Sequence, residues 1–141
     1  MKELCLLLGT NLGRREDNMN RALKALDKAF YGRRIKQSPI LETEACDFIG
    51  PPFLNMTVVY SSARRPETIL KICKQIERSM GRSEAPEYAP DGSRIYHNRI
   101  IDIDILTYGD LELCTPTLTI PHPQVKTRPF VATLLDALHT M

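Results

Sequence analysis

The stretch Arg99-Ile100-Ile101-Asp102-Ile103-Asp104-Ile105-Leu106 alternates isoleucine with aspartate along its centre. Successive side chains of a β-strand point to opposite faces of the sheet, so this alternation predicts a strand. Its alternate isoleucines face a core, and its two aspartates share the other face. Aspartate is uncommon in strands, and two like charges on one face repel each other. The pattern therefore predicts a sheet with one apolar face and an acidic pair on the other.

Periodic segments on the N-terminal side of this strand complete the order strand, helix, strand, strand, helix, strand. The predicted strands are Lys2–Leu8, Arg34–Leu41, Phe53–Tyr60 and Ile100–Leu106, and the predicted helices run from Met19 to Phe30, ended by Gly32, and from Pro66 to Gly81. This order predicts the α+β class, with a ferredoxin-like βαββαβ core, a mostly antiparallel sheet and helices packed on it. The pairing order of the strands stays open at this point.

Several weaker signals complete the expected architecture. Gly9–Gly13 is interpreted as a tight turn, and Tyr108-Gly109-Asp110 as another. The C-terminal extension is expected to be extended over Leu111–Ile120 and mainly helical from Val125 to Met141. Arg82–Asn98 has no periodicity, and a segment of this length without regular structure is typically a lid or a binding loop.

The amino-acid composition limits the classes of protein to which the chain can belong. The chain has 141 residues, of which 43% are hydrophobic and 26% charged, so we expect one globular domain over residues 1–141. The net charge of +2 lacks the basic surface that binds duplex nucleic acid or an anionic membrane. Four cysteines without a Cys-x-x-Cys pair, and a start without signal-peptide features, favour free thiols and a cytoplasmic location. The oligomeric state is undecided, and a monomer is one of the states allowed.

The acidic pair is the main candidate for chemistry. Asp102 and Asp104 are separated by two residues of rise, roughly 6.5 Å along the backbone, and their side chains can converge further. Mg²⁺ prefers carboxylate oxygens and completes its coordination with water and substrate phosphates. The alternative is an amphipathic strand with a solvated acidic face, because short motifs of this kind are frequent by chance.

Other segments offer groups that suit a phosphorylated substrate and a flat ring. Phe53 and Asn55 share one face of their strand, and together they could stack and hydrogen-bond a heterocycle. His122 lies between two prolines, and Arg128 follows it, so both could contact phosphate oxygens. Glu77 opposes the helix dipole near the end of its helix. The alternatives are a core phenylalanine beside a surface asparagine, and a surface histidine.

Six segments in this order and spacing resemble the hydroxymethyl-dihydropterin pyrophosphokinase family over nearly the whole chain. The segments are Leu8-Gly9-Thr10-Asn11-Leu12-Gly13, Phe53-Leu54-Asn55, Ile76-Glu77 with Gly81-Arg82, Arg99-x-x-Asp102-Ile103-Asp104-Ile105-Leu106, Ile120-Pro121-His122-Pro123 and Arg128-Pro129-Phe130-Val131. The resemblance implies the same ferredoxin-like core. It also implies an enzyme of folate biosynthesis that transfers pyrophosphate from MgATP to 6-hydroxymethyl-7,8-dihydropterin, giving the pterin diphosphate and AMP.

The resemblance also implies roles for particular residues. Two Mg²⁺ ions are expected on Asp102 and Asp104, with Arg82 and Arg99 neutralising phosphate charge, and these four residues are expected to be catalytic. The residues implied to bind ATP are Glu77, Arg82, Arg99, Ile105, His122 and Arg128, and those implied to bind pterin are Thr43, Phe53, Asn55, Phe130 and Asp102. No general base is evident, and metal ions at the attacking oxygen would make one unnecessary.

The chain departs from the family pattern at three places. Glu44-Ala45-Cys46 stands where relatives often have prolines and a glycine, and Glu84 stands where many carry a second arginine. The stacking tryptophan of the lid is missing because the chain has no Trp, which leaves Tyr96 and His97 as candidates to replace it.

Two other functions fit the same architecture. An RNA-recognition domain would place aromatic side chains on the middle strands, but here the corresponding strands are Leu-rich or acidic. A family member that has lost activity and acts as a scaffold is the other alternative, which the retained polar residues disfavour.

Overall fold

The computed structural model describes residues 1–44, 51–81, 87–88, 94–95 and 100–139. Its elements are β1 (Lys2–Thr10), α1 (Arg15–Ala29), β2 (Arg34–Gln37), β3 (Leu41–Thr43), β4 (Phe53–Ser62), α2 (Pro66–Ser79), β5 (Glu87–Tyr88), β6 (Arg94–Ile95), β7 (Asp102–Tyr108), β8 (Leu113–Cys114), β9 (Thr119–Ile120), α3 (Gln124–Thr127) and α4 (Pro129–His139). The main sheet has the order β2-β4-β1-β7, with β3 also paired to β4, and all of these pairs are antiparallel. The predicted α+β, ferredoxin-like architecture is confirmed.

Both faces of the main sheet are covered by apolar side chains. On one face, alternate residues of β1 such as Leu6 and Leu8 pack with α1 and α2, and Met56 and Ile103 belong to the same cluster. On the other face, Leu7 of β1 packs with residues of α4. Because side chains alternate along a strand, a single strand contributes to two clusters. Among the described residues, no helix is long and apolar enough to cross a membrane.

The second predicted strand was wrong in extent. The predicted strand Arg34–Leu41 is interrupted, because β2 ends at Gln37 and β3 begins at Leu41 and continues to Thr43. The break contains Pro39, which has no N–H to donate to a ladder. Ser38 takes over the pairing at the break, because its N–H donates to Thr57 O and its Oγ accepts from Thr57 N, each at 2.9 Å.

Two segments that were predicted to be turns also differ from the prediction. Gly9 lies inside β1, and the first turn begins after Thr10. Tyr108, expected in the second turn, is the last residue of β7, which starts later and ends later than predicted. Its hydroxyl donates to the carbonyls of Ser62 and Arg64, at 3.1 and 2.6 Å. These contacts fix the position of the last residue of β7.

The remaining segments are more structured than expected. Leu111–Ile120 contains the short antiparallel pair β8 and β9, and the segment expected to lack regular structure contains the pair β5 and β6. The C-terminal helix is divided at Arg128, whose φ of −117° and ψ of 112° are extended. The division has a local cause, because the ring of Pro129 disfavours helical backbone in the residue before it.

The described cysteines differ in burial. Cys5 and Cys73 are buried free thiols, whereas Cys114 is exposed. Burial raises the pKa of the Cys5 thiol to about 12, so this group is protonated at neutral pH. Cys46 lies outside the described residues.

Candidate active site

The two aspartates lie where the sequence predicts them. Asp102 and Asp104 are half-buried on one face of β7, while Ile103 between them is buried against the helices. In the register of the sheet, Asp102 is opposite Gly9 of β1, and Gly9 is opposite Asn55 of β4. Neighbouring strands are about 4.8 Å apart, so Asp102 and Asn55 are separated by about 10 Å across the row. The acidic pair and the Phe53-Asn55 pair therefore share one face of the sheet.

Gly9 separates these two pairs without a side chain of its own. A Cβ built on Gly9 would lie 3.3 Å from Asn55 Oδ1 and 3.5 Å from Phe53 Cδ1. The ring of Phe53 thus lies directly beside the bare backbone. A surface of bare backbone with an aromatic ring at one side can accommodate the edge or the face of a planar ligand.

The orientation of Asn55 is fixed by β3. Its Nδ2 donates to Thr43 Oγ1 at 2.7 Å and to Leu41 O at 3.4 Å, and the residue is 4% exposed. The other end of the amide, Oδ1, lies on the Gly9 side. The structure therefore brings Thr43, Phe53 and Asn55 together, and their binding of pterin stays a prediction.

Two residues that the sequence did not single out tie the β1–α1 connection to the start of β4. Asn11 Nδ2 donates to Pro51 O at 3.0 Å. Arg15 Nη1 donates to Pro52 O at 3.0 Å and pairs with Glu42 Oε2 at 3.1 Å. These bonds hold the chain next to Phe53. Asn11 lies in a segment that carried the resemblance, but its position there did not indicate this contact.

Gln124 connects the acidic pair to His122, and sequence reasoning missed it. Its Nε2 donates to Asp104 Oδ2 at 3.0 Å. Its backbone N–H donates to His122 Nδ1 at 3.1 Å. Because Nδ1 accepts this bond, the proton of the neutral imidazole is on Nε2. The only signal in the sequence was the position of Gln124 two residues after His122.

His122 lies near a negatively charged group, Asp102, and a positively charged group, Arg128. Burial lowers its pKa from the usual 6.5, while Asp102 acts to raise the pKa and Arg128 to lower it. The guanidinium of Arg128 lies 6.0 Å from the centre of the Phe130 ring. Phe130 is half-buried against the apolar cluster in which Leu7 of β1 packs with residues of α4, called the α4 cluster below. His122, Arg128 and the acidic pair therefore form one neighbourhood.

Glu77 reaches the same strand from the helix side. It is 1% exposed, and its Oε2 accepts a 2.8 Å hydrogen bond from the backbone N–H of Ile103. Lys74 Nζ lies 3.7 Å from Oε1. Glu77 thus holds the backbone between the two aspartates, and its expected contact with ATP stays a prediction.

The remaining predicted site residues lie either on the helix side of the sheet or outside the described residues. Ile105 is buried on the helix side, so a nucleotide on the aspartate face could meet only its backbone. Arg82 and Arg99 lie outside the described residues, as do Glu84, Tyr96 and His97. Within the described ranges, no group of three or more His, Cys, Asp or Glu side chains is placed to hold a metal ion. The expected binding of Mg²⁺ by the carboxylates of Asp102 and Asp104 stays a prediction.

Known proteins match this chain over almost its full length. Residues 5–140 match the family described as 7,8-dihydro-6-hydroxymethylpterin-pyrophosphokinase. The 2-amino-4-hydroxy-6-hydroxymethyldihydropteridine pyrophosphokinase of Porphyromonas gingivalis is 40% identical over 128 residues, which cover 89% of this chain and 83% of that protein. The folate synthesis bifunctional protein of Chlamydia muridarum is 34% identical over 96% of this chain, and its mitochondrial counterpart in Pisum sativum is 36% identical over 99%. This chain spans 30% and 26% of the lengths of those two proteins.

Proposed function

The chain belongs to the 7,8-dihydro-6-hydroxymethylpterin-pyrophosphokinase family, and we propose that it transfers the β,γ-pyrophosphoryl unit of MgATP to 6-hydroxymethyl-7,8-dihydropterin. The products are the pterin diphosphate and AMP, as an intermediate step of folate biosynthesis. The row formed by Asp102, Gly9 and Asn55 carries the proposal. In this row, the Asp102 carboxylate on the phosphate side of the site lies about 10 Å from the Asn55 amide, which can hydrogen-bond the ring of the substrate.

The pterin side of the site is built from backbone and aromatic groups. The ring rests beside Gly9, between Phe53 and Phe130. The amide of Asn55, held by Thr43 at 2.7 Å, reads the polar edge of the ring. A preset amide suits this task because its Nδ2 is already bonded to Thr43 and Leu41, which leaves Oδ1 as an acceptor in a fixed position.

The chemistry of the donor set fits Mg²⁺. Two half-buried carboxylates on one strand face supply hard oxygen ligands, and Gln124 orients one of them. We propose that Asp102 and Asp104 hold two ions, with Asp102 also next to the pterin. When bound, these ions neutralise phosphate charge and lower the pKa of the pterin hydroxyl.

The phosphate side is built from cationic and N–H groups. His122 offers Nε2–H, because its Nδ1 already accepts a hydrogen bond, and Arg128 adds a guanidinium. Arg82 and Arg99 are proposed to neutralise charge that develops on the transferred group, while Glu77 supports the site from behind Ile103. Phosphoryl transfer depends mainly on positioning and charge neutralisation, so no residue is proposed as general base.

The location and the oligomeric state of the protein are proposed from its sequence. We propose a cytoplasmic location, because the four cysteines lack a Cys-x-x-Cys pair and are interpreted as free thiols, and we propose a monomer. Neither nucleic acid nor membrane is proposed as a partner, because the net charge is only +2.

The proposal is tested by product identity. Purified protein is mixed with ATP, Mg²⁺ and 6-hydroxymethyl-7,8-dihydropterin, and the nucleotides are separated. We expect AMP and the pterin diphosphate in equal amounts. ADP as the product would overturn the pyrophosphoryl transfer, and an absence of turnover by folded protein would favour the inactive scaffold.

The Asp102→Asn variant tests the metal-binding pair. We expect kcat/KM to fall by about two orders of magnitude or more, because a charged ligand next to the transferred group is lost. The control is Asp110→Asn, which changes an exposed aspartate of the same chain. Circular dichroism should be unchanged in both variants. Full activity of Asp102→Asn would contradict the assignment.

A further inference from the structure

A cavity of about 260 Å³ lies far from the candidate active site. It is lined by Phe30, Tyr31, Arg33, Ser61, Ser62, Ala63 and Arg64. Phe53 begins β4 at the candidate active site, and Ser62 ends β4 at this cavity. With a rise of about 3.3 Å per residue, the two regions are about 30 Å apart. We call this region the Tyr31 cavity.

Two arginines approach one aromatic ring at this cavity. The guanidinium carbons of Arg33 and Arg64 lie 5.5 and 5.2 Å from the centre of the Tyr31 ring. The two cations are therefore within about 11 Å of each other, the sum of these distances. Among the described residues, neither guanidinium forms a salt bridge, and the carboxylate of Asp27 pairs with Arg34 at 3.5 Å. Two guanidinium groups thus lie beside one ring at this cavity, and neither is part of an ion pair with a described residue.

The backbone of Tyr31 is held in an unusual conformation. Its φ is 56°, in the left-handed region that glycine adopts without steric cost. Tyr31 is the first residue after the C-cap of α1, with Gly32 N–H donating to Asp27 O at 2.7 Å and Tyr31 N–H to Lys28 O at 3.4 Å. This is a Schellman ending, in which the position of Tyr31 is usually glycine.

Burial does not offset the strain at Tyr31, because the residue is 71% exposed. The ring instead contacts the two arginines. Strained backbone at an exposed aromatic residue is typical of a site where the side chain has a task. Holding two guanidinium groups beside one cavity is the task that these contacts indicate.

We propose that the Tyr31 cavity binds a small phosphate-bearing anion. A guanidinium group stacked on a ring keeps N–H donors at its edge, which can bind an oxyanion through two parallel hydrogen bonds. Arg64 is already oriented by a 2.8 Å bond from Nη2 to Ala29 O. The volume is just below the range of pockets for drug-sized ligands, so the occupant is inorganic phosphate or a small phosphomonoester.

The test follows backbone amides by two-dimensional ¹H–¹⁵N NMR at low ionic strength. Inorganic phosphate, glycerol phosphate and chloride are titrated separately at matched ionic strength. We expect saturable shifts at residues 31–33 and 61–64 with either phosphate and none with chloride. Tighter binding of glycerol phosphate would identify a monoester as the preferred form. Phosphate could also bind near His122, so only shifts at the cavity count in favour.

Three variants and a control make the outcome decisive. Arg33→Gln and Arg64→Gln are expected to weaken phosphate binding at the cavity at least about tenfold, because a charge-assisted hydrogen bond is lost. Arg21→Gln, which changes an exposed arginine of α1, should leave it unchanged. Tyr31→Gly should keep or raise the midpoint of urea unfolding, because glycine accepts this φ, and should still weaken binding. Absence of saturable shifts, or wild-type affinity in all three cavity variants, would overturn the proposal.

Discussion

His122 illustrates how a single residue is tuned by its neighbours. The sequence indicated only a histidine held between two prolines. The structure adds a 3.1 Å hydrogen bond from Gln124 N–H to Nδ1, and a pKa lowered first by burial. The sequence could not give the burial, because burial depends on packing between distant segments, whereas the hydrogen bond is local and its only signal was the position of Gln124 two residues after His122.

The lowered pKa of His122 predicts a pH dependence of stability. As pH falls through the unfolded-state value of about 6.5, the unfolded chain binds a proton that the native state resists. The native state is therefore destabilised at pH 5.5 relative to pH 7.5. Urea unfolding at both values should show a smaller loss for His122→Asn than for the unmodified protein.

The charges around His122 make this prediction more specific. NMR titration of the imidazole should give a pKa below 6.5 in the unmodified protein. Asp102→Asn should lower that pKa further, and Arg128→Gln should raise it, because each variant removes one charge of known sign. Opposite directions of shift would show that the assigned charges are not the ones His122 senses.

Glu77 carries a second prediction at the residue scale. Glu77→Ala removes the acceptor of the N–H of Ile103, a residue that is only 4% exposed. A buried donor without an acceptor costs about 1–3 kcal/mol, so the free energy of unfolding should fall by at least this amount. Glu67→Ala, an exposed change on the same helix, is the control.

A second variant separates the hydrogen bond of Glu77 from its charge. Glu77→Gln retains an oxygen that can accept from Ile103, so most of the stability should remain. Urea unfolding measures all three variants. Equal stability of Glu77→Ala and Glu67→Ala would mean that the bond to Ile103 contributes little to the fold.

At the scale of elements, local patterns predicted which segments are helices and strands. The alternation around Asp102 and Asp104 was sufficient because strand periodicity is a local property. The break between β2 and β3 was not predicted, although Pro39 is visible in the sequence, because a proline is also tolerated on an edge strand. Strand order required pairing between residues as distant as Leu8 and Ile103, which periodicity does not contain.

The short helix α3 provides the prediction at this scale. It sets Gln124 against Asp104 across 20 residues of sequence, at 3.0 Å. Gln124→Ala should weaken Mg²⁺ affinity about tenfold to a hundredfold, because groups that orient a metal ligand have effects of this size. Calorimetric titration of Mg²⁺ in the presence of a non-hydrolysable ATP analogue measures the change.

The matched control for this prediction is Lys126→Gln, an exposed change on α3. Gln124→Glu adds a readout that does not require turnover. It places a carboxylate next to Asp104, so the midpoint of urea unfolding should fall without Mg²⁺ and recover when Mg²⁺ is added. Mg²⁺ affinity that is unchanged in Gln124→Ala would show that α3 does not orient Asp104.

At the scale of the whole molecule, one sheet joins two apolar clusters. Leu6 of β1 belongs to the cluster under α1 and α2, and Leu7 to the cluster under α4. The hydroxyl of Thr57 also donates to Leu134 O at 3.4 Å, which connects α4 to β4. Loss of either cluster exposes a face of the same strands, so the domain predicted over residues 1–141 should unfold as one unit.

Variants on opposite faces of the sheet test this cooperativity. Leu134→Ala truncates the α4 cluster and Met19→Ala the other, and each should lower the free energy of unfolding by about 2–5 kcal/mol. The chain has no Trp, and its buried Tyr60 and Tyr108 lie in the cluster under α1 and α2. Tyr60 and Tyr108 are two of the five tyrosines, so their part of the fluorescence change reports on that cluster, whereas far-UV circular dichroism reports on the whole fold. If the sheet couples its two faces, Leu134→Ala shifts both urea transitions by the same amount. Separate transitions in this variant, with tyrosine fluorescence unchanged, would mean that α4 unfolds from the sheet on its own.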